Sequence, residues 1–181
     1  MATRFDSHWR DVPQDSWRWP SFSPAEIACR GSGSIRIHEE ALDRLQALRN
    51  RIAKPLIVRS AYHSPEHNRT VGGAPASKHM LGTAFDIAMA NHDPVAFEAA
   101  ARAEGFLGFG TYPRSGFMHI DLGPTRRWGK PFPARAGVGT LSAAGIEVLQ
   151  DSLAEAHGST PSAGSSSPSR WPASPSPFTL G

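Results

Sequence analysis

The chain has 181 residues, a formal net charge of +3 and 19% charged residues, which suits one globular domain with additional tails. Its single cysteine, Cys29, excludes an intramolecular disulfide and a cysteine-based zinc knuckle. The basic residues form no stripe and are not interleaved with aromatic residues, so we expect no nucleic-acid partner.

The sequence pattern gives no signal for export or membrane insertion. The first ten residues, MATRFDSHWR, lack the apolar core of a secretory signal peptide. No apolar run is long enough to cross a bilayer, so we expect no stable membrane insertion. We therefore expect a monomer that is made in the cytoplasm and needs release or export to reach a substrate outside it.

Changes in composition divide the chain into four segments. Residues 1–20 carry three tryptophans among polar residues and prolines, and we interpret them as an irregular arm whose rings pack on the domain. Residues 21–133 contain the regular patterns and form the predicted domain. Residues 134–157 form the third segment, in which an amphipathic pattern over residues 141–156 predicts a C-terminal helix. In residues 158–181 Ser, Pro and Gly supply 16 of 24 positions, which predicts a disordered tail.

Helix-start signals precede the predicted helices of the domain. Ser23-Pro24-Ala25-Glu26 has the pattern of a capping box with proline at the first helical position. The longest helix carries leucines on one stripe from Leu42 to Leu48. The predicted helices cover residues 24–29, 38–52, 66–68 and 94–104.

Four runs of apolar or alternating residues predict strands. These runs cover residues 55–60, 83–89, 109–112 and 117–122. The last two flank Pro113-Arg114-Ser115-Gly116, which is typical of the turn in a β-hairpin. The order of helices and strands favours an α+β fold, with a small antiparallel sheet and helices packed on it.

Residues with the chemistry of a zinc site recur in the second half of this domain. His79 and Asp86 are seven positions apart, and Gly82 between them allows a turn that brings a loop histidine over a strand aspartate. His119 follows on a hairpin strand. Histidine and carboxylate ligands with one open position are usual for catalytic zinc. Spacing alone leaves the site a hypothesis, because such residues also serve as ordinary hydrogen-bonding groups and no His-Glu-x-x-His helix is present.

Four segments carry a longer and more specific pattern. They are SAYHSPEHN from Ser60, VGGA from Val71, SKHMLGTAFD from Ser77 and GFGTYPRSGFMHIDLGPTRRW from Gly108. From Phe22 to Trp128 the chain resembles the zinc D-Ala-D-Ala carboxypeptidase family, and most closely its YcbK-type murein endopeptidase branch.

The resemblance implies a hedgehog-like α+β domain in which His79, Asp86 and His119 bind one Zn²⁺. It also implies hydrolysis of a peptide bond in the stem or cross-link of peptidoglycan, as an endopeptidase or a D-Ala-D-Ala carboxypeptidase. A phage-type lysis enzyme would fit this activity. The alternative is a wall-binding module that contains zinc but has no catalytic activity.

The chain departs from the family pattern at two positions. Where the family has Ser-Gly-Tyr-Arg, the arginine that would contact a substrate oxygen is replaced by His63. We expect His63 to stabilise the developing oxyanion, with Arg59 or Arg69 as a substitute for the missing charge. We also expect Ser77 and Asn68 to shape the substrate pocket.

The second departure concerns the general base. Several relatives have an acid three residues before the last histidine ligand, where this chain has Gly116. Asp121 lies two residues after His119, so strand alternation puts both on one face, roughly 6–7 Å apart along the chain. Asp121 is therefore the candidate base, and the alternative is that it only orients the histidine ligand.

Overall fold

The computed structural model describes residues 2–133 and shows a mixed arrangement of helices and strands. The helices are α1 (Pro24–Ile27), α2 (Glu39–Ile52), α3 (Pro65–Thr70) and α4 (Pro94–Ala103). The strands are β1 (Thr3–Asp6), β2 (Ile35–His38), β3 (Val58–Ser60), β4 (Ala84–Ala88), β5 (Gly108–Tyr112), β6 (Phe117–Asp121) and β7 (Arg126–Gly129). The predicted α+β class is confirmed.

The main sheet has five strands in the order β3-β4-β6-β5-β7. The first four pair antiparallel, and β5 and β6 form the predicted hairpin, with Tyr112 opposite Phe117. β7 pairs with β5 in parallel, so the sheet is mixed at one edge, where the sequence analysis expected only antiparallel pairs. This edge strand lies beside the candidate site.

A second sheet joins the N-terminal segment to the domain. β1 pairs antiparallel with β2, with Arg4 opposite Ile37, where the sequence analysis expected an irregular arm. The tryptophans of this segment pack on the core as expected, and Trp19 is almost fully buried. Its indole N–H donates to Asp43 at 2.8 Å, which fixes the segment against α2.

The hydrophobic core lies between the main sheet and the two longer helices. The leucine stripe of α2 is buried as predicted, and the capping box at Ser23 and Glu26 begins α1. In β4 the side chains of Phe85 and Ile87 enter the core, so strand alternation directs Asp86 to the other face of the sheet. The core thus fixes which face of β4 carries the site.

The predicted helix over residues 141–156 and the predicted disordered tail over residues 158–181 lie outside the described residues. The boundaries of the four segments stay predictions. Within residues 2–133, no helix has both the length and the apolar character needed to cross a bilayer.

Candidate metal centre

Three donor atoms converge on one point beside the main sheet. His79 Nε2 lies 3.4 Å from Asp86 Oδ1 and 3.1 Å from His119 Nδ1. His119 Nδ1 lies 3.0 Å from Asp86 Oδ1. The side chains of all three residues are 15% exposed or less. The three residues that the sequence analysis selected therefore form a compact set of ligand atoms.

The geometry and the proton positions of this set fit a zinc ion. Bonds of 2.0–2.1 Å in a tetrahedral zinc site place neighbouring ligand atoms roughly 3.3 Å apart. His79 Nδ1–H donates to the carbonyl oxygen of Ala61, and His119 Nε2–H donates to Asp121. The remaining ring nitrogens therefore direct lone pairs at each other and at Asp86. A cation between the three acceptors would satisfy all of them.

Local structure explains how the ligands meet. His79 lies in a short 3-10 helix, Lys78–Leu81, and the Ser77 hydroxyl accepts a hydrogen bond from its backbone N–H. Gly82 ends this helix with φ +70°, a conformation that favours glycine. The chain then enters β4, where Asp86 is directly opposite His119 of β6. The tight turn predicted at Gly82 is present.

The charges of the cluster are strongly coupled. Burial alone would raise the pKa of Asp86, but when no metal is bound, hydrogen bonds from protonated His119 and His79 outweigh it and hold that pKa far below its usual range. Burial alone would lower the pKa of His119, but Asp121 and Asp86 on either side raise it above its ordinary value. The carboxylate is therefore ionised, and a metal ion must compete with a proton for His119.

Asp121 lies on the far side of His119 from the ligand cluster. Its side chain has no exposed surface, and its Oδ2 accepts from His119 Nε2 at 2.9 Å. Arg126 donates to both carboxylate oxygens, at 3.1 and 2.7 Å, and the Gly123 N–H donates at 2.6 Å. Burial would raise the pKa of Asp121, but these donors hold it below its ordinary value.

Glycine creates the space for this buried carboxylate. A Cβ on Gly108 would stand 2.3 Å from Asp121 Oδ2, closer than such atoms can approach. Gly108 is directly opposite Asp121 in the β5–β6 ladder, so a side chain at residue 108 would force the Asp121 carboxylate out of its present position. The position of the Asp121 carboxylate beneath His119 therefore depends on glycine at residue 108 of the neighbouring strand.

His63 lies against the metal cluster. Its ring stacks on His79, with centroids 4.5 Å apart and planes 13° apart, and its Nε2 lies 2.6 Å from Ser60 Oγ. Burial and the neighbouring His79 lower the pKa of His63 to about 4, so the ring is neutral at pH 7. The His63 Nδ1 atom is buried, and the Asn68 side chain is a hydrogen-bonding neighbour of the His63 ring.

The two residues expected to shape the pocket lie at its wall. Both Ser77 and Asn68 line the cleft in front of the cluster. The Asn68 side chain is buried and donates to the carbonyl oxygens of Gly73 and Ala74, at 3.2 and 3.0 Å. Asn68 thereby fixes the loop that forms one side of the cleft, and Ser77 positions His79.

The two arginines considered as substitutes for the missing charge lie elsewhere. Arg59 donates to the Ser115 carbonyl oxygen, and its guanidinium lies 5.7 Å from the ring centre of Phe117. Neither Arg59 nor Arg69 is among the residues that line the cleft. Arg69 extends into solvent, with 76% of its side chain exposed. The structure thus brings neither guanidinium to the metal cluster.

An aromatic wall that sequence reasoning missed completes the cleft, which has a volume of about 1090 Å³. Tyr112 and Phe117 stack with ring centres 4.6 Å apart, and the Trp128 indole donates to the Tyr112 hydroxyl at 2.9 Å. The Trp128 ring lies 5.2 Å from the ring of His119. Only the alternation of Arg126 and Trp128 along β7 hinted at this wall.

Comparisons with known proteins bear on the same region of the chain. Residues 20–121 match the family model of peptidase M15. The zinc D-Ala-D-Ala carboxypeptidase of Streptomyces albus G is 36% identical over 92 residues, which cover 49% of this chain and 36% of that protein. The peptidoglycan L,D-endopeptidase MepK of Escherichia coli K12 is 38% identical over 99 residues, which cover 49% of this chain and 51% of MepK.

The chain spans about half or less of the length of these relatives. The family match covers more than half of the chain and includes His79, Asp86 and His119. The resemblance noted in the sequence is therefore confirmed at the level of the family, and the chain belongs to the peptidase M15 family.

Proposed function

We propose that this chain is a zinc-dependent peptidase that hydrolyses peptide bonds in peptidoglycan. The observation that carries the proposal is the convergence of three acceptor atoms, from His79, Asp86 and His119, at the floor of an open cleft in a peptidase M15 chain. The substrate class is supported by two relatives, one named a zinc D-Ala-D-Ala carboxypeptidase and the other a peptidoglycan L,D-endopeptidase.

Zinc held by these residues would polarise the scissile carbonyl and activate a water as the nucleophile. The chain prepares this chemistry through its proton positions. The Ala61 carbonyl oxygen and Asp121 each hold the N–H of one histidine away from the cluster. Both histidines therefore present lone pairs, and the aromatic wall and the loop fixed by Asn68 confine a peptide above them.

We infer that Asp121 positions His119 and is not the base. Its carboxylate contacts one ring nitrogen of His119, whereas the ligand cluster is at the other. Both carboxylate oxygens are engaged by donors, and the side chain has no exposed surface. A water in the cleft has no path to this carboxylate. The base role expected from strand alternation is therefore the weaker of the two alternatives.

His63 is the proposed contact to the reacting groups. Besides the metal ligands, His63 and His67 are the described cleft residues with imidazole side chains. His63 is neutral and lies against His79, so it can donate a hydrogen bond to a carbonyl oxygen or accept one from a water. Because Nδ1 is buried and Nε2 faces Ser60 Oγ, either role requires the ring to turn toward the cleft.

The proposal also covers which bond of peptidoglycan is cut and where the protein acts. One relative is named a carboxypeptidase and the other an endopeptidase, so both the stem and the cross-link are included. We also propose action on the cell wall after release or export, as in a phage-type lysis enzyme. Addition of the protein to permeabilised bacteria should then lower the turbidity of the suspension.

The direct test is digestion of purified peptidoglycan by the zinc-loaded protein, with the fragments identified by mass spectrometry. The proposal predicts new peptide termini that are absent when His79→Ala is used.

The second candidate function, a wall-binding module, is favoured by one observation. Apart from Asp86, no described residue lining the cleft is a carboxylate that could serve as a base. Sedimentation with the wall but no released fragments would support that alternative.

A further inference from the structure

The cleft has an unequal distribution of charge. Its lining includes three cationic side chains, Arg30, Lys78 and Arg126. Its only carboxylate among the described residues is Asp86, which belongs to the metal cluster. A bound zinc ion would add further positive charge. A cleft lined by one sign of charge raises the local concentration of oppositely charged ligands, so this one favours an anionic peptide.

Two of these cations lie together next to the metal ligands. Lys78 immediately precedes His79, and Arg126 holds the carboxylate of Asp121. Lys78 Cε and Arg126 Nη1 lie only 2.9 and 2.6 Å from the position that a Cβ on Gly123 would occupy. The missing side chain at residue 123 therefore allows two positive groups to approach each other at one end of the cleft.

The two cations differ in what they can still bind. The Arg126 guanidinium donates to both oxygens of Asp121 and to the Pro124 carbonyl oxygen. The half-buried Lys78 has no ion pair or side-chain hydrogen bond within residues 2–133. Asp121 is the one carboxylate beside them, and its oxygens are already shared by Arg126, Gly123 and His119. A second anion at this place would contact a free ammonium group and reduce the repulsion between the cations.

We propose that the Lys78 ammonium group, reinforced by Arg126, binds a free carboxylate of the peptide substrate close to the scissile bond. This inference rests on the proposed function and specifies its substrate as a peptide with an unmodified carboxyl group. An amidated peptide of the same sequence presents a neutral group there and loses the charge-assisted hydrogen bond. Lys78 is thus a specificity residue, separate from the metal ligands.

The test compares a stem peptide from peptidoglycan, with all its carboxyl groups free, with a series of the same peptide. In each member of the series, one carboxyl group, either a side-chain or the α-carboxyl group, is converted to the carboxamide. Binding to the zinc-loaded protein is measured by calorimetry, and fragment release is followed in parallel. We expect the wild-type protein to bind one free-acid form more tightly than its amide by on the order of tenfold or more. This ratio should fall as ionic strength rises.

Three variants assign the preference to a residue. Lys78→Gln should bring the ratio of the two affinities close to one, Lys78→Arg should keep most of it, and Lys54→Gln removes an exposed lysine outside the cleft and should leave it unchanged. Melting temperatures check that each variant folds. A ratio that survives in Lys78→Gln would overturn the proposal, and loss of the ratio in Arg30→Gln instead would place the carboxylate elsewhere in the cleft.

The outcomes separate this inference from the proposed function. If neither form is cleaved but the Lys78-dependent preference in binding is present, the carboxylate subsite stands and the hydrolytic proposal fails. If both forms are bound and cleaved equally well by the wild-type protein, the hydrolytic proposal stands and the subsite is refuted.

Discussion

The two sides of the cleft are built in different ways. The metal side is formed by paired strands, where Asp86 and His119 are direct neighbours across the ladder and Asp121 is buried behind them. The opposite side is a loop, residues 71–77, that two hydrogen bonds from Asn68 connect to α3. Strand pairing fixes atoms to within narrow limits, whereas a loop tolerates change. We therefore expect changes in this loop to alter substrate affinity without altering metal binding.

The largest effect is expected from removal of a ligand on the metal side. His119→Ala deletes one of the three candidate ligand atoms and leaves the buried carboxylate of Asp121 without its histidine partner. Zinc affinity should fall by more than the roughly 10–100-fold that supporting residues contribute. Elemental analysis after dialysis measures the zinc content. His8→Ala, which changes an N-terminal histidine outside the cluster, is the matched control and should retain about one zinc per chain.

A smaller effect on the same side is expected from Asp121→Asn. The substitution keeps size and shape, but one N–H₂ group must face Arg126 or the Gly123 N–H. If Asp121 positions His119, zinc affinity and activity should fall together, by roughly 10–100-fold. Competition with a chelator gives the affinity and fragment release gives the activity.

Asp93→Asn controls for this change, since asparagine caps a helix about as well as aspartate does. A fully zinc-loaded Asp121→Asn protein whose activity is reduced on the order of 10²–10⁴-fold would instead identify Asp121 as the base.

Gly108→Ala tests whether the packing of β5 against β6 is coupled to metal binding through Asp121 and His119. The added methyl group would stand 2.3 Å from Asp121 Oδ2 and force the carboxylate or the strand to move. We expect a loss of about 1–3 kcal/mol in the free energy of unfolding, together with weaker zinc binding. Thermal unfolding with and without zinc measures both.

Gly116→Ala provides the comparison for Gly108→Ala. A Cβ at residue 116 would meet no atom within 4 Å. Any loss of stability would come only from the backbone φ of +69°, which alanine adopts less readily than glycine. It should destabilise the hairpin turn without changing the affinity for zinc. Equal zinc binding in both variants would contradict the coupling between Gly108 and Asp121.

The smallest effect on the metal is expected from the loop side. Asn68→Ala removes both hydrogen bonds to Gly73 and Ala74, so the loop should lose its fixed position. We expect zinc content to stay at the wild-type level while KM for peptide fragments rises severalfold. A loss of zinc in this variant would show that the two sides are not independent.

The family resemblance selected His79, Asp86 and His119 as candidate ligands, and local spacing agreed with that choice without establishing it. Gly82 sets the turn between His79 and Asp86, and strand alternation directs Asp86 and His119 out of the core. The hairpin could also be predicted from the sequence, since its turn residues Pro113 to Gly116 lie between two short apolar strands.

What sequence analysis missed depends on contacts between distant segments. β1 has only four residues and forms because β2 provides a partner some thirty residues later. β7 joins the sheet in parallel to β5, and only this pairing brings Arg126 to Asp121 and Trp128 to His119. The role that we propose for Asp121 differs from the expected one for the same reason, because its contacts with Arg126 and Gly123 were not visible in the spacing of the chain.

We expect zinc to be bound between His79 Nε2, Asp86 Oδ1 and His119 Nδ1. Anomalous scattering at the zinc edge from crystals grown with zinc tests it directly. We predict one peak, about 2.0–2.1 Å from each of these three atoms. A peak at His63 and His67, or coordination through the other ring nitrogen of His119, would contradict it.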